Sequence, residues 1–158
     1  MKRRMRIIGA AGSIAAVAVA AVIALPASGT APPGSTFFAK LGGEHVVPAA
    51  DPDGYGTFSA GFNGTKLCYG LQVFKIGAPL AAHIHKAAVG SNGPIKVPLN
   101  VPSSGLAGAS AGCTTLSTTL ANAIKANPHA YYVNVHNSAF PNGAIRGQLF
   151  QATASQDK

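Results

Sequence analysis

Hydrophobic and polar positions alternate along several short segments of the chain. The clearest case is the run Leu67, Tyr69, Leu71 and Val73, in which smaller or more polar residues separate the large apolar ones. This two-residue period is typical of a strand with one buried face. Turns rich in glycine, proline and asparagine separate these segments. The pattern predicts seven β-strands, over residues 36–41, 55–62, 67–76, 81–86, 95–101, 130–136 and 144–150.

One segment has a helical period instead. Leu116, Leu120 and Ile124 are spaced by four residues, and hydroxyl residues that can serve as an N-cap precede the run. Pro128 disfavours helical backbone at the residue before it. We therefore predict one short helix over residues 117–126, packed on an edge or end of the sheet.

The N-terminus has the pattern of a secretory signal peptide. Four of the first six residues are basic, residues 7–25 are almost wholly apolar, and Pro26 ends the run. Small residues at 27–29 suit a signal peptidase, so Thr30 is the predicted first mature residue. An uncleaved membrane anchor is the alternative, because a run of this length can just span a bilayer. The predicted organisation is a signal peptide (1–29), a linker (30–35), a β domain (36–151) and a C-terminal tail (152–158).

The net charge is less informative than it first looks. Lysine and arginine number 12 against 4 acids, for a formal charge of +8. Four of those basic residues belong to the leader, which leaves 8 against 4, and these are scattered singly. Since no basic run remains, nucleic acid is not an expected partner. A membrane contact is expected only through the leader before cleavage.

The chain has two cysteines, Cys68 and Cys113. In an exported protein, two cysteines most simply form one disulfide. Zinc ligation by two thiolates far apart in sequence, with no further cysteine nearby, is the weaker alternative. The loop-entropy relation gives such a bridge a stabilisation of about 4 kcal/mol.

Strand alternation also predicts a polar face. In His83-Ile84-His85 both imidazoles project from one side of the strand, and Ile84 projects into the core. The same alternation turns the valines of residues 131–136 inward. If the strands are neighbours, one face collects the remaining polar side chains, which are His83, His85, Asn134, His136, Arg146 and Gln148.

This face is a candidate copper or zinc site. Imidazole is a common ligand of both metals, and His83, His85 and His136 supply three, with His45 or His129 as further candidates from loops. The alternative is a hydrogen-bonded histidine pair that orders a sheet edge and the glycine-rich loop after it. Ring nitrogens that converge on one point favour the metal, whereas rings that diverge or bond to backbone carbonyls favour the alternative.

Other enzyme chemistry has little support. The carboxylates after the leader are Glu44, Asp51, Asp53 and Asp157, and no two have the spacing of a paired acid and base. A nucleophile elbow and phosphate-binding glycine motifs are missing from the sequence. Asp51 and Asp53 lie in a proline- and glycine-containing segment that predicts a turn rather than a calcium site. Glu44 is expected to form an ion pair with Arg146.

Taken in order, these motifs resemble the CHRD (chordin) domain. The resemblance rests mainly on Ala82-His83-Ile84-His85, on Tyr131-Tyr132-Val133-Asn134-Val135-His136 and on Ile145-Arg146-Gly147-Gln148-Leu149, and it covers about residues 36–150. Chordin-like domains occur in animal chordin, an extracellular antagonist of bone morphogenetic proteins, and as stand-alone exported bacterial proteins. The resemblance implies a stand-alone exported member of bacterial type, secreted or held in the cell envelope. It also implies that Glu44, Asn134, Arg146 and Gln148 belong to a polar face of family motifs.

A weaker likeness is to copper–zinc superoxide dismutase, through a His-x-His strand in a secreted β-sandwich with one disulfide. The sequence departs from that enzyme, because no histidine cluster with an aspartate follows His85 and no bridging histidine is present. The most that this likeness implies is a copper ion held by His83, His85 and His136. The length and regular spacing of the predicted strands favour an all-β fold of antiparallel sheets that form a sandwich or a barrel. Of the two we expect an antiparallel β-sandwich of Greek-key, immunoglobulin-like or superoxide-dismutase-like type, with one short helix.

The sequence therefore predicts an exported, non-enzymatic binding module. Its partner is an extracellular protein, a glycan or a metal. The alternative is a copper- or zinc-binding protein, or a superoxide-dismutase-like metalloenzyme, that uses the His83, His85 and His136 face.

Overall fold

The computed structural model describes residues 36–152, in which nearly every predicted strand is found. The strands are β1 (Thr36–Gly42), β2 (Tyr55–Asn63), β3 (Lys66–Phe74), β4 (Pro79–Lys86), β5 (Ile95–Leu99), β6 (Ala107–Thr115), β7 (Tyr131–Asn137), β8 (Ile145–Gln148) and β9 (Phe150–Gln151). The predicted leader (1–29), the linker (30–35) and residues 153–158 of the predicted tail lie outside the described residues.

The strands form one antiparallel sheet in the order β5-β4-β7-β8-β1-β2-β3-β6, and β9 pairs with β1. Asn100, just after edge strand β5, brings the two edges together: its Nδ2 donates to the Ala111 carbonyl of β6 at 2.7 Å, and its carbonyl accepts from Ser110 Oγ at 2.7 Å. The sheet is therefore a nearly closed barrel. The all-β antiparallel class with one short helix is confirmed, whereas the two separate sheets of a sandwich are not.

The interior of the barrel is built by the inward side of each alternating strand. Leu67, Tyr69, Leu71 and Val73 of β3 are all buried, as their period predicts. Ile84 of β4 is only 1% exposed and belongs to the same core cluster. Burying an aliphatic side chain of this size stabilises a fold by about 1.5–3 kcal/mol. This burial holds the opposite faces of β4 and β7 outward.

Strand β6 was not among the predicted strands. Its sequence, AGASAGCTT, has no large apolar residues and so no hydrophobic period. The packing requires its two glycines: a Cβ on Gly112 would lie 2.9 Å from Tyr69 Oη, and one on Gly108 would overlap the Ser104 carbonyl. A further difference is that the predicted strand 144–150 is divided by Leu149 into β8 and β9.

The disulfide between Cys68 and Cys113 is confirmed, with an S–S distance of 2.08 Å. The two cysteines are direct cross-strand partners on β3 and β6. The bridge therefore fastens edge strand β6, which has the weakest hydrophobic pattern, to β3, whose inward side chains are in the core.

The predicted helix is also confirmed. Helix α1 covers Thr118–Ala126, and Ser117 is its N-cap, with Oγ accepting a hydrogen bond from Leu120 N at 3.2 Å. Ile124 is buried, and Leu116 and Leu120 pack against the core. Within residues 36–152, no helix is long and apolar enough to cross a membrane.

Two of the predicted turns are found. Gly64 has φ of 61°, the left-handed conformation that glycine adopts readily, and closes the β2–β3 hairpin next to Asn63. Asp51 Oδ1 accepts a hydrogen bond from Gly54 N at 3.1 Å. This contact is typical of an aspartate that stabilises a turn.

Candidate metal centre

The register of three adjacent strands brings the predicted polar residues together. His83 of β4 lies opposite Asn134 of β7, which in turn lies opposite Arg146 of β8. In the next row of the same face, His85 lies opposite Tyr132, which lies opposite Gln148. His136 follows Asn134 by two residues and shares its side of β7.

The three histidines of this face converge. Nδ1 of His83 is 3.4 Å from Nε2 of His136, and one ring nitrogen from each of His83, His85 and His136 lies within 4.8 Å of the others. Ligand nitrogens about 2.0–2.1 Å from a tetrahedral ion are roughly 3.3 Å apart. One of the three pairs is already close to that separation, and all three nitrogens lie within 4.8 Å of one another.

Backbone carbonyls orient two of the rings. Nδ1 of His85 donates to the Gly93 carbonyl at 2.9 Å, and Nδ1 of His136 donates to the Pro141 carbonyl at 2.9 Å. A carbonyl only accepts, so Nδ1 carries the proton and the lone pair of each neutral ring is on Nε2. From the sequence we expected either ring nitrogens that converge or rings that bond to backbone carbonyls, but the structure shows both. Metal-binding histidines commonly use this pairing of one ring nitrogen with a carbonyl.

The free nitrogen of His85 is buried without a partner. His85 is 7% exposed, and its Nε2 has no hydrogen-bond partner among the described residues. The same is true of Asn134 Oδ1, and both residues line a cavity of about 370 Å³ together with His136. A buried acceptor left unpaired costs about 1–3 kcal/mol. A cation or a hydrogen-bond donor in this cavity would satisfy both atoms.

The electrostatics of the cluster favour neutral imidazoles. Burial lowers the pKa of His83 below its usual 6.5, and the nearby His136 and His85 lower it further. Burial also lowers the pKa of His85 and outweighs the opposite effect of the Gly93 carbonyl. A neutral imidazole has the lone pair that a metal ligand needs.

An aromatic ring and a loop support His85. Its imidazole stacks on the ring of Tyr132, with centroids 4.8 Å apart and planes 8° apart. Tyr132 Oη accepts a hydrogen bond from Gly93 N at 3.2 Å, so the residue that orients His85 is itself held by Tyr132. Alternation placed Tyr132 on this face, but its supporting role and that of Gly93 were missed because they depend on the position of a loop.

Two other residues of the polar face fasten that loop, residues 87–94. Nη2 of Arg146 donates to the Ala88 carbonyl at 3.1 Å, and Nε2 of Gln148 donates to the Ala87 carbonyl at 2.7 Å. Asn92 Nδ2 donates to the Val47 carbonyl at 2.8 Å. Gly93 is therefore held against the sheet independently of any ligand.

The prediction of an ion pair between Glu44 and Arg146 is wrong. Glu44 lies on an exposed 3₁₀ turn (Gly43–His45), where its Oε1 is 3.6 Å from Nε2 of His45. The Arg146 side chain instead runs beneath the loop of residues 87–94 and contacts neutral oxygens. The direction of these side chains is set by the turn and the loop, which strand alternation does not describe.

The two additional histidine candidates are not part of the cluster. His45 pairs with Glu44, and His129 is exposed on the second 3₁₀ turn (Pro128–Ala130). Over the described part of the chain, His83, His85 and His136 form the one group of three or more potential ligands.

Comparison with known proteins gives one match. A family model described as the CHRD domain matches residues 37–149, well over half of the chain. No curated protein and no solved structure matches it. The matched region runs from β1 to the residue after β8 and contains all three clustered histidines.

Proposed function

The chain belongs to the CHRD domain family. We propose that it is an exported, non-enzymatic binding module and that its ligand is a copper or zinc ion. The ion is held by His83, His85 and His136. The CHRD domain is of extracellular type, and the disulfide fits an oxidising compartment.

The orientation of His85 carries the metal proposal. Its Nδ1 is bonded to the Gly93 carbonyl, and its buried Nε2 faces a cavity without a partner. Metal-binding histidines commonly have this arrangement, in which one ring nitrogen is bonded to a carbonyl and the other is free to bind the ion. His136 is likewise bonded through Nδ1 to the Pro141 carbonyl, and its Nε2 is paired with Nδ1 of His83 at 3.4 Å. A bound ion would replace this contact between the two imidazoles.

The ligand set indicates which metals fit. Three imidazoles suit copper and zinc, whereas calcium and magnesium require oxygen ligands. Divalent copper binds nitrogen sites more tightly than zinc does, so copper is the tighter ligand expected in solution. Three protein ligands would leave the fourth position of a tetrahedral ion for water. The unpaired Asn134 Oδ1 belongs to a residue that lines the same cavity as His85 and His136, and it could accept a hydrogen bond there.

Binding is favoured over dismutase-like catalysis by the number of sites. Copper–zinc superoxide dismutase is expected to need a second histidine and aspartate cluster. Residues 36–152 hold a single group of potential ligands, and it contains no carboxylate. The proposal therefore stops at metal binding.

The metal proposal is tested on tag-free protein stripped of metal. Isothermal titration calorimetry with copper sulfate or zinc sulfate should give one ion per chain, and His85→Ala should weaken binding about 100-fold or more. His129→Ala, which removes an exposed imidazole outside the cluster, is the matched control and should bind as the wild type does. Absence of binding, or equal losses in both variants, would overturn the proposal. Copper spectra by electron paramagnetic resonance should show nitrogen ligands.

Export is tested separately by N-terminal sequencing of the protein recovered outside the cytoplasm. The proposed cleavage after Gly29 leaves Thr30 as the first residue. Recovery of the protein with an intact leader in the membrane fraction would show that residues 1–29 are an uncleaved anchor and not a signal peptide. Neither outcome affects the metal site, so the two parts of the proposal are judged independently.

A further inference from the structure

Arg146 carries a buried positive charge that no described carboxylate neutralises. The residue is 2% exposed. Between Thr36 and Ala152, the one close contact between a carboxylate and a basic side chain joins Glu44 to His45, at 3.6 Å. Asp51 is occupied by the Gly54 amide. The guanidinium is therefore a buried ion without a counterion from the domain.

The contacts of the guanidinium leave hydrogen-bonding capacity unused. Nη2 donates to the Ala88 carbonyl at 3.1 Å and Nη1 to Asn92 Oδ1 at 3.4 Å, while Cζ lies 3.4 Å from the centroid of the Tyr132 ring. All three partners are neutral. A guanidinium has five N–H donors and stays protonated in proteins. Burying such an ion is unfavourable unless an opposite charge or further hydrogen bonds compensate it.

A cavity of about 410 Å³ borders this charge. Arg146 and Gln148 form part of its wall, and the apolar part of the wall comes from Val46, Val47, Val89 and Phe150. The volume is within the range of cavities that bind small molecules. Lys40 adds a second cation, and Glu44, which is paired with His45, is the one carboxylate on the lining.

We propose that this cavity binds a small organic acid with an apolar body and that Arg146 anchors its carboxylate. A planar guanidinium matches a carboxylate with two parallel hydrogen bonds. The lining carries two cations, Arg146 and Lys40, and one carboxylate, Glu44, so its net positive charge balances a monoanion. A phosphate dianion would bring surplus negative charge into a largely apolar cavity. The valine and phenylalanine walls would take up the hydrocarbon part.

This site does not depend on the proposed metal centre. Its lining includes none of the three clustered histidines, of which His85 and His136 line a different cavity. Tests on metal-free protein therefore separate the two proposals, because a carboxylate that binds only through a metal ion would then give no signal.

The test is titration of metal-free protein with benzoate, followed by calorimetry or by amide chemical shifts. Saturable binding of one benzoate per chain is expected, with inorganic phosphate binding at least about tenfold more weakly. Glucuronate carries the same carboxylate on a polar sugar and should also bind about tenfold more weakly. Phosphate binding as tight as benzoate binding, or tighter, would overturn the carboxylate assignment. Glucuronate binding tighter than benzoate binding would overturn the apolar acid and indicate a carboxylated glycan as the ligand.

Two sets of variants locate the site. Arg146→Gln should weaken benzoate binding by about tenfold or more. Because Arg146 also fastens a loop, a second variant at an exposed position avoids dependence on folding: Val89→Asp, at 77% exposure, places a competing carboxylate beside the guanidinium and should weaken benzoate to a similar extent. Leu106→Asp makes the same charge change at 77% exposure outside the cavity and should leave benzoate affinity within about twofold. Absence of benzoate binding, or full binding by Val89→Asp, would overturn the proposal.

Discussion

The imidazole of His85 lies flat against the phenol ring of Tyr132, with a centroid separation of 4.8 Å. The same ring contacts the Arg146 guanidinium, whose Cζ is 3.4 Å from the ring centroid. Since β7 lies between β4 and β8, Tyr132 separates the histidine of one neighbouring strand from the arginine of the other. One aromatic ring thus supports both the proposed metal ligand and the proposed carboxylate anchor.

Tyr132→Phe should separate the two roles of this ring. The variant keeps the stack on His85 but removes the acceptor of the Gly93 amide, so we expect a loss of about 1 kcal/mol in the free energy of unfolding. Copper affinity should fall by about tenfold, because Gly93 orients the His85 ring.

Urea denaturation and calorimetry measure the two effects. Tyr55→Phe removes an exposed hydroxyl from a ring that stacks on Phe74 and should change stability by less than about 0.5 kcal/mol. Equal copper affinity in Tyr132→Phe, Tyr132→Leu and the wild type would show that Tyr132 does not position His85.

The free energy of unfolding of the metal-free protein should fall as the pH is lowered from 7.5 to 5. Burial lowers the pKa of His83 and His85 in the folded state below 6.5, so the unfolded chain takes up protons that the folded chain excludes. Stability is therefore complete above the unfolded pKa and is lost as the pH falls through that value toward the folded one.

Urea denaturation at a series of pH values tests this dependence. Replacing both His83 and His85 with glutamine should flatten the curve between pH 7.5 and 5. His129→Gln, which removes an exposed imidazole, is the control for loss of a single ring. A wild-type stability that rises on acidification would contradict the proposed burial effect.

Reduction of the disulfide should destabilise the domain strongly. Cys68 and Cys113 are separated by 45 positions, for which the loop-entropy relation gives about 4 kcal/mol. Thermal melting with and without dithiothreitol should show a marked fall in Tm on reduction. The double variant Cys68→Ser/Cys113→Ser should already melt at the lower temperature and should not respond to the reductant. A wild-type Tm that is insensitive to complete reduction would mean that the bridge contributes little.

Ile84 should be essential to the core although both of its neighbours face outward. The side chain is 1% exposed, so Ile84→Ala should cost about 2–5 kcal/mol through lost burial and a remaining cavity. Leu80→Ala, on the same strand at 65% exposure, is the matched control and should cost less than about 0.5 kcal/mol. Similar costs in urea denaturation would contradict the assigned orientation of β4.

Most of the fold could be predicted because burial imposes a local period. The run from Leu67 to Val73 and the His83-Ile84-His85 strand were assigned to the correct faces from alternation alone. Strand β6 was not predicted because it has no large apolar residues, and its two glycines are required by close contacts with Ser104 and Tyr69 that have no local period. The pairing of Cys68 with Cys113 was predictable from their number, since two cysteines allow one intramolecular bridge.

The sequence by itself determined which side of each strand is polar, because successive residues of an extended backbone point in opposite directions. It also determined the family, through motifs that follow one another along the chain. Only the tertiary structure decided that β4, β7 and β8 are neighbours, so that His136 reaches His83 from 53 positions away. The carbonyls of Gly93 and Pro141 come from loops, and Glu44 turns toward solvent rather than toward Arg146. These contacts depend on strand register and loop packing, which arise from the whole chain and have no local period.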